Sequence, residues 1–344
     1  MLGQIRLRIA AATVMMLVLS NVQAQDPIFS QFYAAPLQIN PAFVGSAYAP
    51  RITLNYRNQW PSFNNAYITY AASYEQFIEP VNSGIGFMIQ SDESGDGIYR
   101  VNQFTATYGY QLQVNRDFFV RFGVEGGITQ SSVDWNRLVF LDQIDPINGA
   151  TDPFGNLNPT QEGRPENLTN TYFDIGAGLL AYGPVFYGGI SMKHLNTPDE
   201  SILGLNENLN IGLPMRLTAH AGAEITLRKG NKHHSGAFIS PNVLFIKQGG
   251  FGQINAGAYG SLGMFFAGLW YRHALTNSDA AIMLAGYQHG IFKIGYSYDM
   301  TISGLAAYSG GAHEVSLTIN FGNSDDAKRR RSAQRYNDCF RMFR

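Results

Sequence analysis

Apolar and polar residues alternate strictly from Met215 to Arg228. One set of alternate positions is wholly apolar. The other set carries the charges and hydroxyls and consists of Arg216, Thr218, His220, Gly222, Glu224, Thr226 and Arg228. Side chains at i, i+2 and i+4 share one face of a strand, so this stretch predicts a strand with one apolar and one polar side. The apolar side can be buried only against another sheet or against lipid.

The same alternation recurs to the end of the chain and predicts fourteen strands. The predicted ranges are 50–59, 65–77, 83–91, 99–114, 117–131, 170–182, 184–195, 214–228, 233–247, 251–261, 263–273, 279–288, 290–300 and 312–321. A single-chain bacterial barrel requires an even number of strands. If both termini are periplasmic, the two long connections, 132–169 and 196–213, fall on the outer side and tight turns fall on the inner side. That asymmetry is typical of such barrels.

Composition separates a barrel from a β-sandwich, which would alternate as well. The outer faces of a soluble sandwich are expected to carry more charge than the 14% found here. Aromatic residues at 13% and the 37 glycines favour a transmembrane barrel. The expected fold is therefore an all-β, transmembrane, antiparallel up-and-down β-barrel of about 14 strands. A net charge of −1 argues against nucleic acid as a partner.

The chain divides into four parts. Arg6 and Arg8 precede the apolar run 9–19, and Val22-Gln23-Ala24 has the small-x-small form of a cleavage site, so residues 1–24 predict a secretory signal peptide. Beyond it, no run reaches the ~18 apolar residues that a transmembrane helix needs. The remaining parts are an irregular N-terminal segment (25–49), the barrel (50–322) and a basic C-terminal tail (323–344). The expected location is the cell outer membrane.

Both ends of the mature chain lie outside the predicted barrel strands. Segment 25–49 contains Pro27, Pro36 and Pro41 and cannot form a long regular element. Because it is rich in aromatic residues, we expect it to be packed, either as a periplasmic lid or inside the lumen. The tail is expected to be either a solvated extension or a periplasmic docking peptide. Its basic cluster consists of Lys328, Arg329, Arg330 and Arg331.

The three tryptophans, Trp60, Trp135 and Trp270, each lie at or near the end of an outward-running predicted strand. Amphipathic rings favour the membrane–water boundary, so we expect all three in the outer aromatic girdle. Three unrelated core tryptophans are the alternative.

Charged residues on the polar faces of the strands are expected to line the lumen. They are Arg121, Glu125, Arg216, His220, Glu224, Arg228, Lys293 and Asp299. Buried unpaired charges cost several kcal/mol each, so these groups must be paired or wet. Fourteen strands enclose more space than their own side chains readily fill. The lumen is therefore expected to be water-filled or occupied by protein, with the N-terminal segment as the candidate occupant.

The sequence contains few of the patterns that indicate catalysis or cofactor binding. His233 and His234 are adjacent and would point to opposite faces of a strand, so they cannot chelate one metal. The stretch 91–97 lacks the later glutamate of a calcium loop and reads as an acidic turn. His220 and Glu224 share a face, but nothing marks an activated nucleophile beside them. We expect no enzyme activity, no metal and no cofactor.

Several short motifs resemble the PorP/SprF family. They are QDPIFSQF at 25–32, NPAFVG at 40–45, YRNQW at 56–60, YSYD at 296–299 and GAHEVSL at 311–317. The short basic end with Cys339 is also similar, although the family pattern expects proline where this chain has Phe340. The likeness covers essentially the whole mature chain.

The resemblance implies an outer-membrane protein of the type IX secretion and gliding-motility machinery of Bacteroidota. Its role would lie in secretion, with periplasmic secretion components as partners, or in anchoring a secreted adhesin that carries a C-terminal sorting domain. Outer-membrane lipid would surround it in either case. The barrel by itself equally supports a passive porin for small solutes.

Overall fold

The computed structural model describes residues 26–64, 66–147, 149–202, 212–228, 236–275, 277–304, 306, 308–323, 339–340 and 342–343. Within them, the chain forms one closed antiparallel sheet. Its elements are β1 Arg51–Gln59, β2 Tyr67–Ile78, β3 Ser83–Ser94, β4 Tyr99–Gln113, β5 Phe119–Val133, β6 Thr169–Tyr182, β7 Phe186–Lys193, β8 Arg216–Ala223, β9 Ile225–Arg228, β10 Ala237–Gln248, β11 Phe251–Leu262, β12 Phe265–Ala274, β13 Asn277–His289, β14 Phe292–Thr301 and β15 Ala312–Asn320. Neighbouring strands pair in sequence order, and β15 returns to pair with β1.

The predicted fourteen-strand barrel is confirmed. β8 and β9 both pair with β10 and form one barrel strand, so the fifteen elements make fourteen strands around the barrel. The sequence predicted this strand as continuous over 214–228, but it is interrupted at Glu224, whose N–H donates to the carbonyl of Val185 in the preceding turn. The predicted ends differ from the observed ones by at most four residues, the largest difference being at the start of β10 (predicted 233, observed Ala237).

The outer surface of the barrel is apolar. Many large side chains along the strands face outward and are exposed; Leu54, Phe104, Val124, Ile128, Leu269 and Ile294, for example, are between 44% and 69% exposed. A surface of this size and composition would be an aggregation site in water, whereas in a bilayer it faces hydrocarbon. The sheet closes on itself, so the β-sandwich alternative is excluded. No helix in the described part of the chain is long and apolar enough to cross a membrane.

The connections differ sharply between the two ends of the barrel. The long ones, 134–168 and 194–215, lie at the end that the predicted parity assigns to the outside. The opposite end has short turns such as 183–185 and 290–291. We refer to these ends as outer and periplasmic.

The N-terminal segment runs through the lumen, one of the two positions expected from its aromatic content. It descends from Asp26 near the outer end to Pro50 at the start of β1, and from Phe29 to Ala47 every residue is buried. A single turn of helix, α1 (Pro36–Ile39), is followed by a 3₁₀ turn whose N-cap, Asn40, accepts a hydrogen bond from the Ala42 N–H. Prolines therefore begin both turns, where a missing N–H costs nothing.

Glycines on the inner face of the wall allow the segment to lie close against it. A Cβ atom at Gly123 would overlap the backbone of Ala42, and one at Gly178 would overlap the Asn40 side chain. Gly295 would likewise collide with the Tyr33 hydroxyl. These positions require glycine because another chain passes there, which accounts for part of the glycine content read from the sequence.

The tryptophans do not all lie in the outer girdle. Trp60 and Trp135 are half-buried near the outer ends of β1 and β5. Trp270 is 5% exposed on the inner face of β12, where its ring lies 5.0 Å from that of Phe32. The girdle prediction is wrong for Trp270. Trp270 and Phe266 share the inward face of β12, and the lumen that they face has an apolar core.

Candidate functional site

The lumen contains most of the charged residues that the sequence predicted for it. Seven of the eight are at most 8% exposed, namely Arg121, Glu125, Arg216, His220, Glu224, Lys293 and Asp299. Arg228 is exposed at the end of β9 and does not share their burial. The basic tail residues Lys328, Arg329, Arg330 and Arg331 lie outside the described residues.

A set of buried charges that we call the outer cluster holds the start of the N-terminal segment. It comprises Arg57, Arg272, Asp299 and Glu314. The Arg57 guanidinium lies 3.0 Å from an Asp299 oxygen and 3.1 Å from a Glu314 oxygen. Glu314 in turn accepts the main-chain N–H groups of Ser30 and of Gln31, at 2.8 and 2.9 Å. Ser30 Oγ donates to Asp299 at 2.6 Å. The wall therefore recognises both the backbone and the side chain of the segment.

A second polar group, the clasp, fixes the first described residue. The Asp26 carboxylate lies 2.6 Å from Arg216 Nη1 and 2.8 Å from His194 Nε2. The other ring nitrogen of His194 lies 2.9 Å from Asp174. Gln248 accepts the Asp26 N–H at 3.1 Å. The clasp therefore ties the segment to β6, β8, β10 and the connection after β7.

The clasp shifts the protonation of its two titratable ends. Burial alone would lower the pKa of His194, but the charge of Asp26 and the hydrogen bond to Asp174 outweigh it and raise the pKa to about 9. Burial would raise the pKa of Asp26, but Arg216 and His194 hold that pKa well below its ordinary value. At neutral pH the imidazolium therefore lies between two carboxylates.

The clasp also offsets the repulsion between two cations that face each other in the wall. Lys193 on β7 and Arg216 on β8 are directly opposite, and like charges so placed repel each other. Glu125 neutralises Lys193 at 2.7 Å, and Asp26 neutralises Arg216. Without the N-terminal segment, Arg216 would lose its only ion pair among the described residues.

The middle of the lumen contacts the turn around Asn40. The Asn40 amide nitrogen lies 3.0 Å from the carbonyl oxygen of Leu179 and 3.0 Å from Nε2 of His220. The His220 ring stacks on Phe43, with centroids 5.0 Å apart. His220 therefore packs against the segment and does not stand beside a nucleophile. The described residues contain no group of three potential metal ligands.

Nearer the periplasm, Arg121 binds the segment through its backbone. It donates to the carbonyls of Val44 and Gly45 at 3.1 and 3.3 Å. The Gly45 N–H donates to Glu75 at 3.0 Å, and Glu75 is ion-paired with Arg51. The wall thus contacts the segment at the outer end, in the middle and at the periplasmic end.

The end of the C-terminal tail also lies in the lumen, at the periplasmic end. Cys339, Phe340, Met342 and Phe343 are between 1% and 6% exposed. Their surroundings, which we call the tail seat, consist of Phe43, Arg51, Tyr182, Tyr187 and Lys293. The sequence predicted a periplasmic tail. That prediction is wrong for these four residues, because their aromatic side chains pack in the apolar part of the lumen.

Together, the two ends of the chain fill the barrel. Beside Phe343 there remains a cavity of about 20 Å³, bordered by Phe32, His220, Tyr259 and Trp270. That is room for about one water molecule. Of the two states expected for the lumen, the described residues show the protein-filled one.

A family model for the type IX secretion system membrane protein PorP/SprF matches residues 21–319. The chain belongs to the PorP/SprF family. It is an outer-membrane β-barrel of the type IX secretion system. No curated protein matches the sequence.

The solved structures to which this PorP/SprF protein is similar are other outer-membrane barrels. The P. putida toluene transporter TodX is 8% identical, with a TM-score of 0.44, over 82% of this chain and 92% of that chain. A Pseudomonas aeruginosa FadL homologue is 12% identical, with a TM-score of 0.40, over 82% and 93%. BamA from Haemophilus ducreyi is 9% identical, with a TM-score of 0.37, over 79% and 70%.

Sequence reasoning missed several members of the lumenal network in this PorP/SprF protein. Arg57 and Glu314 lie on the polar faces of predicted strands, so alternation could have assigned them to the lumen. Their pairing could not have been found, since it depends on the register between the first and last strands. Asp26 and His194 lie outside the strands, where alternation carries no information.

Proposed function

We propose that this barrel acts as a partner protein of the type IX machinery, in secretion or as the anchor of a secreted adhesin. The observation that carries the proposal is the occupied lumen. Residues 29–47 are buried inside the barrel and bound to the wall from the outer end to the periplasmic end. Family membership supplies the secretion context.

The filled lumen favours a partner role over the alternative, a passive porin for small solutes. Opening a channel along the axis would mean withdrawing the segment, which would leave Arg216 without its ion pair to Asp26 and would remove the hydrogen bonds that Ser30 and Gln31 donate to the outer cluster. Breaking a buried ion pair costs about 3–5 kcal/mol. Only the barrel itself supports the porin alternative.

We assign a surface on the outer loops to the secreted partner. Connection 134–168 exposes Leu141, Ile147 and Phe154 to about 90% (90%, 91% and 90%). The loop is nevertheless held by its own hydrogen bonds, for example from Thr160 Oγ1 to Asp142 and from the Asn156 N–H to Asp152, at 2.9 and 2.8 Å. Large apolar side chains presented on an ordered loop are typical of a protein-binding surface.

The basic cluster Lys328, Arg329, Arg330 and Arg331 is proposed to dock periplasmic components. It belongs to the chain that joins the end of β15 to the tail seat, and both of those points lie at the periplasmic end. Truncation from Asp325 onward should leave the barrel folded and reduce recovery of periplasmic partners. Unchanged recovery would contradict the docking role.

Isolation in mild detergent tests the proposal as a whole. The intact protein should co-purify with a secreted protein or with periplasmic secretion components, and replacing Leu141, Ile147 and Phe154 by serine should reduce recovery of the secreted partner alone. A purified protein that comes without partners and conducts steadily would support the porin instead.

A further inference from the structure

The tail seat has the composition of a peptide-binding site. Its apolar part is a box of three rings around Phe340, whose centroid lies 4.8 Å from that of Tyr182, 5.5 Å from Tyr187 and 5.9 Å from Phe43. Phe343 stacks on Phe43, one of these three rings, with ring centroids 5.1 Å apart and an interplanar angle of 21°. Each such aromatic pair stabilises by about 0.5–1.5 kcal/mol beyond the burial of its area.

The polar part of the seat recognises main chain. Arg51 donates to the carbonyl of Phe343, and Lys293 donates to the carbonyl of Met342. Backbone carbonyls are common to every peptide, so these two contacts set the direction of a bound chain, while the aromatic box selects its side chains.

Lys293 needs a hydrogen-bond acceptor, which either a seated tail or water can supply. Among the described residues it forms no ion pair, and its ammonium lies over the rings of Tyr33 and Phe266, at 4.4 and 4.9 Å. A buried ammonium is costly without acceptors, and the Met342 carbonyl supplies one. When that carbonyl leaves, periplasmic water can replace it. In the outer cluster, by contrast, the charges pair with one another within the wall.

The chain before the tail seat is long enough to let the tail leave it. Residues 324–338 connect the end of the barrel to Cys339, and fifteen residues can span about 50 Å. The four seated residues therefore bind as a tethered ligand would.

The backbone N–H of Phe343 donates to the carbonyl of Phe340 at 3.0 Å, so the seated end of the tail is a turn. We propose that the periplasmic end of the lumen is a binding site for a peptide that turns between two aromatic anchors separated by two residues, and that the chain's own Phe340 and Phe343 occupy it reversibly. The inference concerns a site inside the barrel and does not depend on the secretion role.

The test uses a chain that ends at Asp338 and a labelled hexapeptide with the sequence of residues 339–344, carrying serine in place of Cys339. Fluorescence anisotropy should show saturable binding to this truncated barrel. A peptide with both phenylalanines replaced by alanine should bind at least about tenfold more weakly. The full-length barrel should bind the hexapeptide at least about tenfold more weakly than the truncated one, because its own tail competes.

Variants of the wall show which contacts matter. Lys293→Met in the truncated chain should weaken peptide binding. Lys247→Met, near the outer end of β10, should leave it unchanged and serves as the matched control.

A second version of the test starts from the folded full-length protein. A specific protease site is placed within 324–338, and the folded protein is cut, so that the seated peptide is held without a covalent link. Labelled hexapeptide should then replace it on incubation. The proposal is overturned if the hexapeptide binds to neither form, if the two alanines do not weaken it, or if the cut peptide never exchanges.

Discussion

Two segments of the same chain fill this barrel by different means. The N-terminal segment is held by ion pairs, by hydrogen bonds to its backbone and by glycines that let it touch the wall. The C-terminal tail is held by stacked rings and by two cations that bind its carbonyls. Removing the first segment would leave the buried Arg216 without its ion pair, whereas the groups around the second can be satisfied by water. The comparison indicates that one is a structural part of the barrel and the other an exchangeable occupant.

The largest effect is expected where the wall touches the N-terminal segment. Gly123→Leu places a side chain where the backbone of Ala42 lies, so the segment must leave its path or the barrel must fail to assemble. Heat-modifiable electrophoretic migration and planar-bilayer conductance should show loss of folding or gain of a channel. Gly260→Leu is the matched control, because a Cβ there meets nothing within 4 Å. A silent, fully folded Gly123→Leu protein would contradict the packing described.

The next effect concerns the outer cluster. Asp299→Ala leaves Arg57 and Arg272 with fewer acids in a buried site, and the free energy of unfolding should fall by about 3–5 kcal/mol. Urea unfolding in lipid vesicles measures it. Asp117→Ala, in an exposed periplasmic turn, should change stability by less than about 0.5 kcal/mol. Equal losses from the two variants would remove the distinction between the cluster and an ordinary surface charge.

The strand pattern could be predicted from the sequence, but the lumen could be predicted only in part. Alternation located every strand because one face of each meets lipid. Position near a strand end placed Trp270 in the girdle, and that inference failed because both faces of β12 carry apolar residues and Trp270 lies on the inner one. The seat of Phe340 and Phe343 was missed for a different reason. A short basic end has no pattern of its own, and only the three-dimensional path returns it to the lumen.

The clasp should open in alkali. The raised pKa of His194 means that its contribution is complete below its ordinary pKa of 6.5 and is lost as the pH rises through about 9. The lowered pKa of Asp26 keeps that carboxylate charged above 3.8, so only stronger acid would discharge it. The contribution of His194 at neutral pH is on the order of 2–3 kcal/mol.

Hydrogen–deuterium exchange over residues 26–31, corrected for intrinsic rates, measures this opening. Protection should fall between about pH 7 and about pH 10 in the natural protein and should be low throughout in His194→Asn. A pH response that persists in His194→Asn would assign the opening to another group.

The smallest effect is expected from the tail. Removing residues 339–344 breaks ring contacts but no ion pair among the described residues, so it should lower the free energy of unfolding by less than Asp299→Ala does. It should leave conductance closed, because the N-terminal segment still fills the lumen. A large channel opened by tail removal alone would reverse the ranking of the two segments.

Planar-bilayer conductance of the full-length protein beside a variant lacking residues 26–48 tests the central claim most directly. If the N-terminal segment fills the lumen, the full-length protein should be silent and the deletion should conduct steadily. A full-length protein that conducts like a porin, or a folded deletion variant that remains silent, would contradict it.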